Sequence, residues 1–433
     1  MTPYPAYKPT GLPWLPQIPE HWETVKIREI FVERNQKVSD KDYQPLSVSK
    51  GGVVPQIASV AKTDNGDNRK LVKTGDFVIN GRSDRKGSSG ISEHEGSVSL
   101  INLVLQPRSA RNRRFLHYLL KSLPFVEEFY RNGRGIVADL WTTRYSEMKT
   151  ISLPIPPPAE QEQIVRYLDS MTAKINKLIR AKKQICDLIF EEIIQRANEH
   201  INDKQLPEYR LRNLIKLVTH EIVRDNDRLY TPIGVLNRGR GIFHKKQLLG
   251  KDLGDSIFFH VFPGDMIFSG QFAWEGAVAI SSKSEEGCIA SHRYPLARAM
   301  DQDFLRLAYL WAFFQTKYGD MLLNIHSHGA AGRNRPLNIA RLLGESVPIP
   351  SFDEQKKIEK LFLQLQEARK LAVNYSVKLQ EYKNSMIASV VTGQVDVRNI
   401  PVDDFDPTDL VSESEGDTEE DIINESEEQN DGK

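Results

Sequence analysis

Apolar residues step along two stretches of the chain by alternating fours and threes. In the first, Ile164, Leu168, Met171, Ile175, Leu178, Lys182, Ile185 and Ile189 form one line; in the second, Ile358, Leu361, Leu365, Ala368, Ala372, Tyr375, Leu379, Tyr382 and Met386 form another. A 3.5-residue repeat kept this long predicts a coiled-coil seam rather than the broader stripe of an ordinary core helix. Neither stretch has Gly or Pro inside it, so each reads as one helix of about 40 residues, roughly 60 Å long. Lys182 interrupts the first line once, and its long stem lets the ammonium reach water.

The same segment precedes both helices. Residues 153–164 read LPIPPPAEQEQI and residues 347–358 read VPIPSFDEQKKI, identical at six of twelve positions. Proline fixes φ and is tolerated before or within a first helical turn, so each helix is predicted to start just after its prolines. Glu160, Glu162, Asp353 and Glu354 then sit at the positive end of the helix dipole.

The duplication extends beyond the helices. Tyr43, Pro45, Leu46 and Val48 match Tyr230, Pro232, Ile233 and Val235. Gly75, Asp76, Phe77, Val78 and Ile79 match Gly264, Asp265, Met266, Ile267 and Phe268. Glu95 and Gly96 match Glu286 and Gly287. Phe115 and Leu116 match Phe304 and Leu305. The offsets stay near 190 residues and keep their order. Each half therefore reads as a globular unit of about 150 residues followed by a long helix. The units read as α+β or mixed. Short β-type runs fall at residues 76–79, 98–105, 265–268 and 277–280, and one closing helix falls near residues 111–130 or 303–324. Between these common elements the halves differ: residues 80–90, NGRSDRKGSSG, have no counterpart in residues 269–274. A repeated scaffold with unlike loops predicts units that read different ligands. The boundaries predicted are 1–152 and 203–346 for the units, 153–202 and 347–398 for the long helices, and 399–433 for a tail. This chain order predicts an antiparallel helix pair, with the units at opposite ends of a rod and related by a pseudo-two-fold axis.

Composition changes the picture through charge. Lysine and arginine balance aspartate and glutamate over the 433 residues, yet residues 401–433 hold fourteen acidic residues and one lysine. A net −13 there leaves +13 on residues 1–400. The tail predicts disorder, and the basic body predicts a polyanionic partner. No run of eighteen apolar residues predicts a membrane span, and the N-terminus lacks the layout of a signal peptide. Cys186 and Cys288 make no disulfide framework and read as buried or half-buried thiols in a reducing cytoplasm.

Catalytic motifs are missing from the sequence. It contains no GxxxxGK[ST], no GxGxxG after a strand, no HExxH and no Asn-Pro-Pro-aromatic. Gly234 and Gly239 have P-loop spacing, but Arg240 and Gly241 follow where a lysine and a hydroxyl are needed. His326 and His328 lack further ligands nearby and read as a loop pair. Asp76 and Asp265 read as turn residues before strands rather than as a catalytic pair. Basic, glycine-rich loops remain. The first unit offers Arg82, Arg85, Lys86, Arg131 and Arg134; the second offers Arg238, Arg240, Lys245, Lys246, Arg333 and Arg335. Interleaved glycines let the backbone approach a phosphate, and on a +13 body the set predicts nucleic-acid contact.

The combination resembles the specificity subunit of type I restriction–modification enzymes. The likeness runs over roughly residues 18–398 and is carried by IPEHWETVKIREI (18–30), the Gly-Asp-Phe-Val and Gly-Asp-Met-Ile segments, the two Pro-Ile-Pro-x-x-x-Glu-Gln segments and MIASVVTGQVDVR (386–398). The opening of the second unit, residues 206–215, lacks the tryptophan seen at Trp22. The resemblance implies an α+β fold: two pseudo-repeated mixed α/β target recognition domains separated by a pair of long antiparallel coiled-coil helices. It implies a non-catalytic subunit that reads a bipartite, asymmetric site on double-stranded DNA. Two methyltransferase subunits would dock on the helices, and restriction (translocase–nuclease) subunits through them. S-adenosylmethionine, ATP and Mg2+ would belong to those partners, with no cofactor here. The residues by themselves leave open a stand-alone sequence-specific DNA-binding regulator, a coiled-coil structural protein, or an enzyme of unknown motif.

Overall fold

The computed structural model describes residues 2–56, 66–108, 112–135, 141–203, 205–329 and 335–410. Contacts divide the described chain into two units, residues 2–180 with 374–410 and residues 181–373. Each unit therefore owns half of each long helix.

In the first unit a four-stranded antiparallel sheet runs Ser89–Ile91, Phe77–Asn80, Asn102–Pro107, Phe31–Glu33 in spatial order. Alternate residues of Phe77–Asn80 enter two different cores, as a period of two demands. Phe77 and Ile79 pack under Phe115, Leu119, Phe125 and Phe129. Val78 packs with Leu46, Val53 and Val72 on the other face. The second unit repeats this sheet as Val278–Ile280, Met266–Phe268, Leu296–Ala299, Ile215–Val218. Met266 and Phe268 face Leu310, Trp311 and Phe314, while Ile267 faces Ile233 and Ala290. The run expected at residues 98–105 is two strands, Gly96–Val98 and Asn102–Pro107.

Each closing helix is two helices. In the first unit Arg113–Lys121 ends at Ser122, and Leu123–Arg131 begins with a proline in its first turn. In the second, Leu307–Phe314 ends before Thr316, whose hydroxyl accepts from Gly319 N and starts Lys317–Ile325. Ser122 and Thr316 mark the same break, since their hydroxyls donate to Leu119 O and Phe313 O. That register pairs Phe115 with Tyr309. The sequence match of Phe115 with Phe304 is a coincidence, because Phe304 precedes the helix. The break is tight: a Cβ on Gly319 would lie 2.1 Å from Phe313 O.

The proline segments are strands before they are helix starts. Ser152–Ile155 pairs with Glu23–Lys26, and Ser346–Pro348 pairs with Glu208–Arg210. Both ladders have only two strands, so the missing proline donors leave no neighbour unsatisfied. The shared glutamine closes the corner: Gln161 Nε2 donates to Pro156 O (2.8 Å) and Gln355 Nε2 to Pro350 O (3.0 Å). The shared glutamate diverges. Buried Glu160 accepts from Tyr4 Oη (2.6 Å) and Trp22 Nε1 (3.0 Å) and pairs with His21 (2.7 Å). Burial, with Glu160 beside it, pushes the Tyr4 phenol far up and keeps it a donor. Glu354 instead takes Lys357, one turn along its own helix. At this position the second unit thus lacks the buried carboxylate that Trp22 serves in the first. Its opening is placed by the backbone: Leu211 N donates to Glu345 O as Ile27 N donates to Ile151 O.

The long helices span Pro158–Ile201 and Phe352–Val391. They pair antiparallel within each unit. In the first, Ile164 and Leu168 share a core with Met386 and Val390; in the second, Ile193 and Ala197 share one with Ile358 and Leu365. The predicted seam is buried only toward these ends. Leu178 is 52% exposed, and Ile185, Tyr375 and Tyr382 are exposed as well. Past the second helix, residues 393–397 close the first core. Gly393 takes φ +75° against Pro19 and Trp22, Val397 is buried, and Asp396 N donates to Thr2 O.

The acidic stretch departs from the disorder expected from residue 399. To Leu410 it follows the first long helix: Gln163 holds Ile400 O, Ser170 and Lys174 hold Asp403, and Asn176 and Arg180 hold Asp409. The rest of the tail lies outside the described residues. Among the described residues, no helix is long and apolar enough to cross a membrane.

Candidate nucleic-acid interface

Three segments flank the sheet in each unit, and in the second unit all three meet at one of its ends. The first is a hairpin tip, joining Leu46–Ser49 to Gly52–Pro55 in the first unit and Ile233–Leu236 to Gly241–His244 in the second. These hairpins are equivalent, for Gln56 N donates to Pro45 O and Lys245 N to Pro232 O. The second is the loop after the Gly-Asp strand, residues 81–88 or 270–277. The third is the segment after the closing helices. Gly81 and Gly270 join the last two, accepting from Thr143 N and Leu337 N. A Cβ at Gly81 would lie 2.9 Å from Thr143 O and one at Gly270 2.4 Å from Arg293 O, so only glycine fits. Residues 80–90 thus do have a spatial counterpart, equal in length and different in sequence.

In the first unit the structure brings together all five predicted cations. Arg82 and Arg134 both bridge to Thr142 through their backbones. Most of the charge is answered locally. Lys86 pairs with Glu127 at 3.1 Å and Arg82 with Asp84 at 3.2 Å. Arg131 grips Glu128 with two bonds (2.6 and 2.8 Å), which raises its pKa. Arg134 is 84% exposed, with Glu147 only at 3.9 Å. Arg85 is exposed, and among the described residues its guanidinium has no partner. Beside them a cleft of about 920 Å3 is lined by Trp14, Lys86, Tyr130, Arg131 and Trp141, among others.

In the second unit the predicted cations separate. Arg238 and Arg240 sit at the hairpin tip, while Lys245 and Lys246 lie just past its other end, about 13 Å of strand away. Arg240 folds back onto Asn237, whose amide donates to Glu275 at 2.7 Å. Arg238 takes φ +53° and is exposed, and its guanidinium has no partner among the described residues. Arg335 stacks on Trp274, 4.7 Å from the ring centroid. Arg333 lies outside the described residues.

Several residues that matter here carried no motif. Arg369, on the second long helix, donates to Gly239 O at 2.7 Å and lies over Phe190. Burial lowers its pKa from the ordinary guanidinium value. Gln315 donates to Gly276 O. Trp274 marked itself only as an aromatic in a polar loop. Asp76 and Asp265 are turn residues, as expected, and also buried ion-pair partners. Asp76 accepts from Lys73 N and Arg34, Asp265 from Phe262 N and Arg298. His326 pairs with Glu345 at 2.8 Å. Cys186 and Cys288 are buried free thiols, and burial raises both.

Residues 19–185 match the family model described as the type I restriction modification DNA specificity domain. The first unit thus resembles a type I DNA specificity domain. A chain from a structure titled as the basis of complex assembly and conformational transition of the type I R-M system is similar at 12% identity. That alignment covers 87% of this chain and 99% of the other, with a TM-score of 0.55, and it extends the shared fold over both units. The HsdS subunit from Thermoanaerobacter tengcongensis aligns at 13% identity over 87% and 98% of the two chains (TM-score 0.43). The type I S subunit from M. genitalium aligns at 14% over 85% and 96% (TM-score 0.42). The duplicated scaffold displays unlike side chains at three equivalent places.

Proposed function

We propose that the chain is the DNA sequence-specificity subunit of a type I restriction–modification enzyme, reading a bipartite, asymmetric site with one unit for each half. The observation that carries this is the pairing of a conserved geometry with divergent display. The same sheet, hairpin, glycine joint and broken helix recur, while Arg82–Arg85–Lys86 in one unit stand where Gln271–Trp274–Glu275 stand in the other. Base edges are read by hydrogen bonds specific to each groove pattern, so two half-sites of different sequence need two different surfaces on one frame. The chain is an adaptor: two methyltransferase subunits dock on its long helices and restriction subunits assemble on those, in the cytoplasm. S-adenosylmethionine, ATP and Mg2+ are bound by the partners, and this chain contributes position rather than chemistry.

Selection from a randomised duplex library tests this, using the full chain co-purified with its methyltransferase partner. The expected product is one motif with two fixed segments and an unspecific spacer, with affinity falling steeply as salt rises. A library that stays random, or a motif that the methyltransferase selects equally well without this chain, would overturn the reading.

A further inference from the structure

The strongest local feature outside the shared scaffold is the turn of residues 237–240. Arg238 is the one non-glycine residue with positive φ among the described residues. A side chain in that region costs free energy and persists only where its surroundings over-determine it. Here they do so from several directions. Arg238 N donates to Glu275 O and Gly239 N to Gly276 O, locking the turn to its neighbour. Gly239 O is held from below by Arg369, and Gly276 O by Gln315. Gly239 itself takes φ +62°, which strains any larger residue, and a Cβ there would press on the Gln315 side chain at 2.8 Å and on Trp311 at 3.0 Å. Arg240 is consumed by the turn through its bonds to Asn237. What the construction leaves over is one exposed guanidinium on a rigid base.

Phosphate contacts do not need such a base. A phosphate accepts cations from many directions, and a flexible lysine serves well. Reading a guanine is more demanding: two parallel N–H groups must meet O6 and N7 in the plane of the base, and a site displaced by about an ångström loses the pair. We propose that Arg238 is the base-reading residue of the second unit, with a guanine edge in the major groove as its ligand, and that Arg369 is its positioning residue. The proposal rests on the DNA-reading function above. It separates Arg238 from Lys246, which is exposed past the hairpin's other end and suits the phosphate backbone.

The test uses the full chain in its complex, the randomised duplex library and a salt titration on an unrelated duplex. Arg238→Ala and Arg238→Gly both remove the guanidinium, and the glycine also relieves the backbone, so a turn merely disturbed by alanine is rescued by glycine. Both variants are expected to lose one G·C position of the selected motif, with roughly 10-fold or greater loss on the wild-type site. Binding to the unrelated duplex should change less than about 3-fold, with its salt slope unaltered. Arg369→Met should blur every position read by the second unit while leaving that slope alone. If Arg238→Gly weakens all duplexes alike and flattens the slope by about 0.9, Arg238 is a phosphate contact and the proposal fails, although DNA reading stands. An unchanged motif in Arg238→Gly also overturns it. A wild-type complex that selects no motif removes the function on which it rests.

Discussion

Single residues explain why equivalent positions behave differently in the two units. Glu160 needs Trp22 because it is buried against Tyr4 and His21, whereas Glu354 stays near water and takes Lys357. Basic residues were legible in the sequence as candidates, but their anions were not. Glu127 and Glu128 look like ordinary helix-surface residues in the sequence, yet they answer Lys86 and Arg131, while Arg85 has no partner among the described residues. One titration follows from the same scale. Burial, with Lys121 and Arg114 nearby, pushes His117 down to about 3 from 6.5. The folded protein keeps it neutral while the unfolded chain protonates it below 6.5. Its contribution to stability is therefore complete above that pH and is lost as pH falls toward 3. The unfolding midpoint in urea should fall between about pH 7 and about pH 5, and His117→Gln should fall less over the same interval. Parallel declines in both proteins would mean that His117 does not couple folding to protons.

At the scale of elements, strands were legible where alternate residues feed two cores. Phe77, Val78 and Ile79 are all apolar because both faces of their strand are covered, and Met266, Ile267 and Phe268 repeat the arrangement. The helix break was not legible, since Ser122 and Thr316 fit a helix surface and only Pro124 and Gly319 hint at the interruption. Heptad spacing located both long helices but overstated the seam. Spacing shows where side chains would face a partner; it does not show where a partner is close enough to cover them. The consequence is a contrast between two seam-like residues. Leu178 is 52% exposed and Ile193 is fully buried. Leu178→Asp should change stability by no more than about 0.5 kcal/mol, whereas Ile193→Asp buries a charge without a partner and should cost about 4 kcal/mol or more. Thermal or urea unfolding of the two variants checks this, and equal losses would restore the continuous seam.

For the whole molecule, the sequence reading of two repeats and two long helices matches the duplicated sheets and the antiparallel pairing found within each unit. What it placed differently is the division of the chain: each unit takes half of both helices, and residues 386–397 return to complete the core begun by Leu15, Ile18 and Trp22. No periodicity signals that return, because its residues meet only in three dimensions. The acidic stretch to Leu410 is likewise fixed by Gln163, Asn176 and Arg180, polar residues that read as solvent-facing along the helix. The central claim is that two unlike surfaces on one repeated frame each read half of a DNA site. Its most direct measurement exchanges residues 203–346 for the corresponding unit of a relative with a different motif, then maps the methylated sequence of host DNA by single-molecule sequencing. The account predicts that one half of the motif changes to the donor's and the other half stays as it was. A chimera that alters both halves together, or neither, would contradict it.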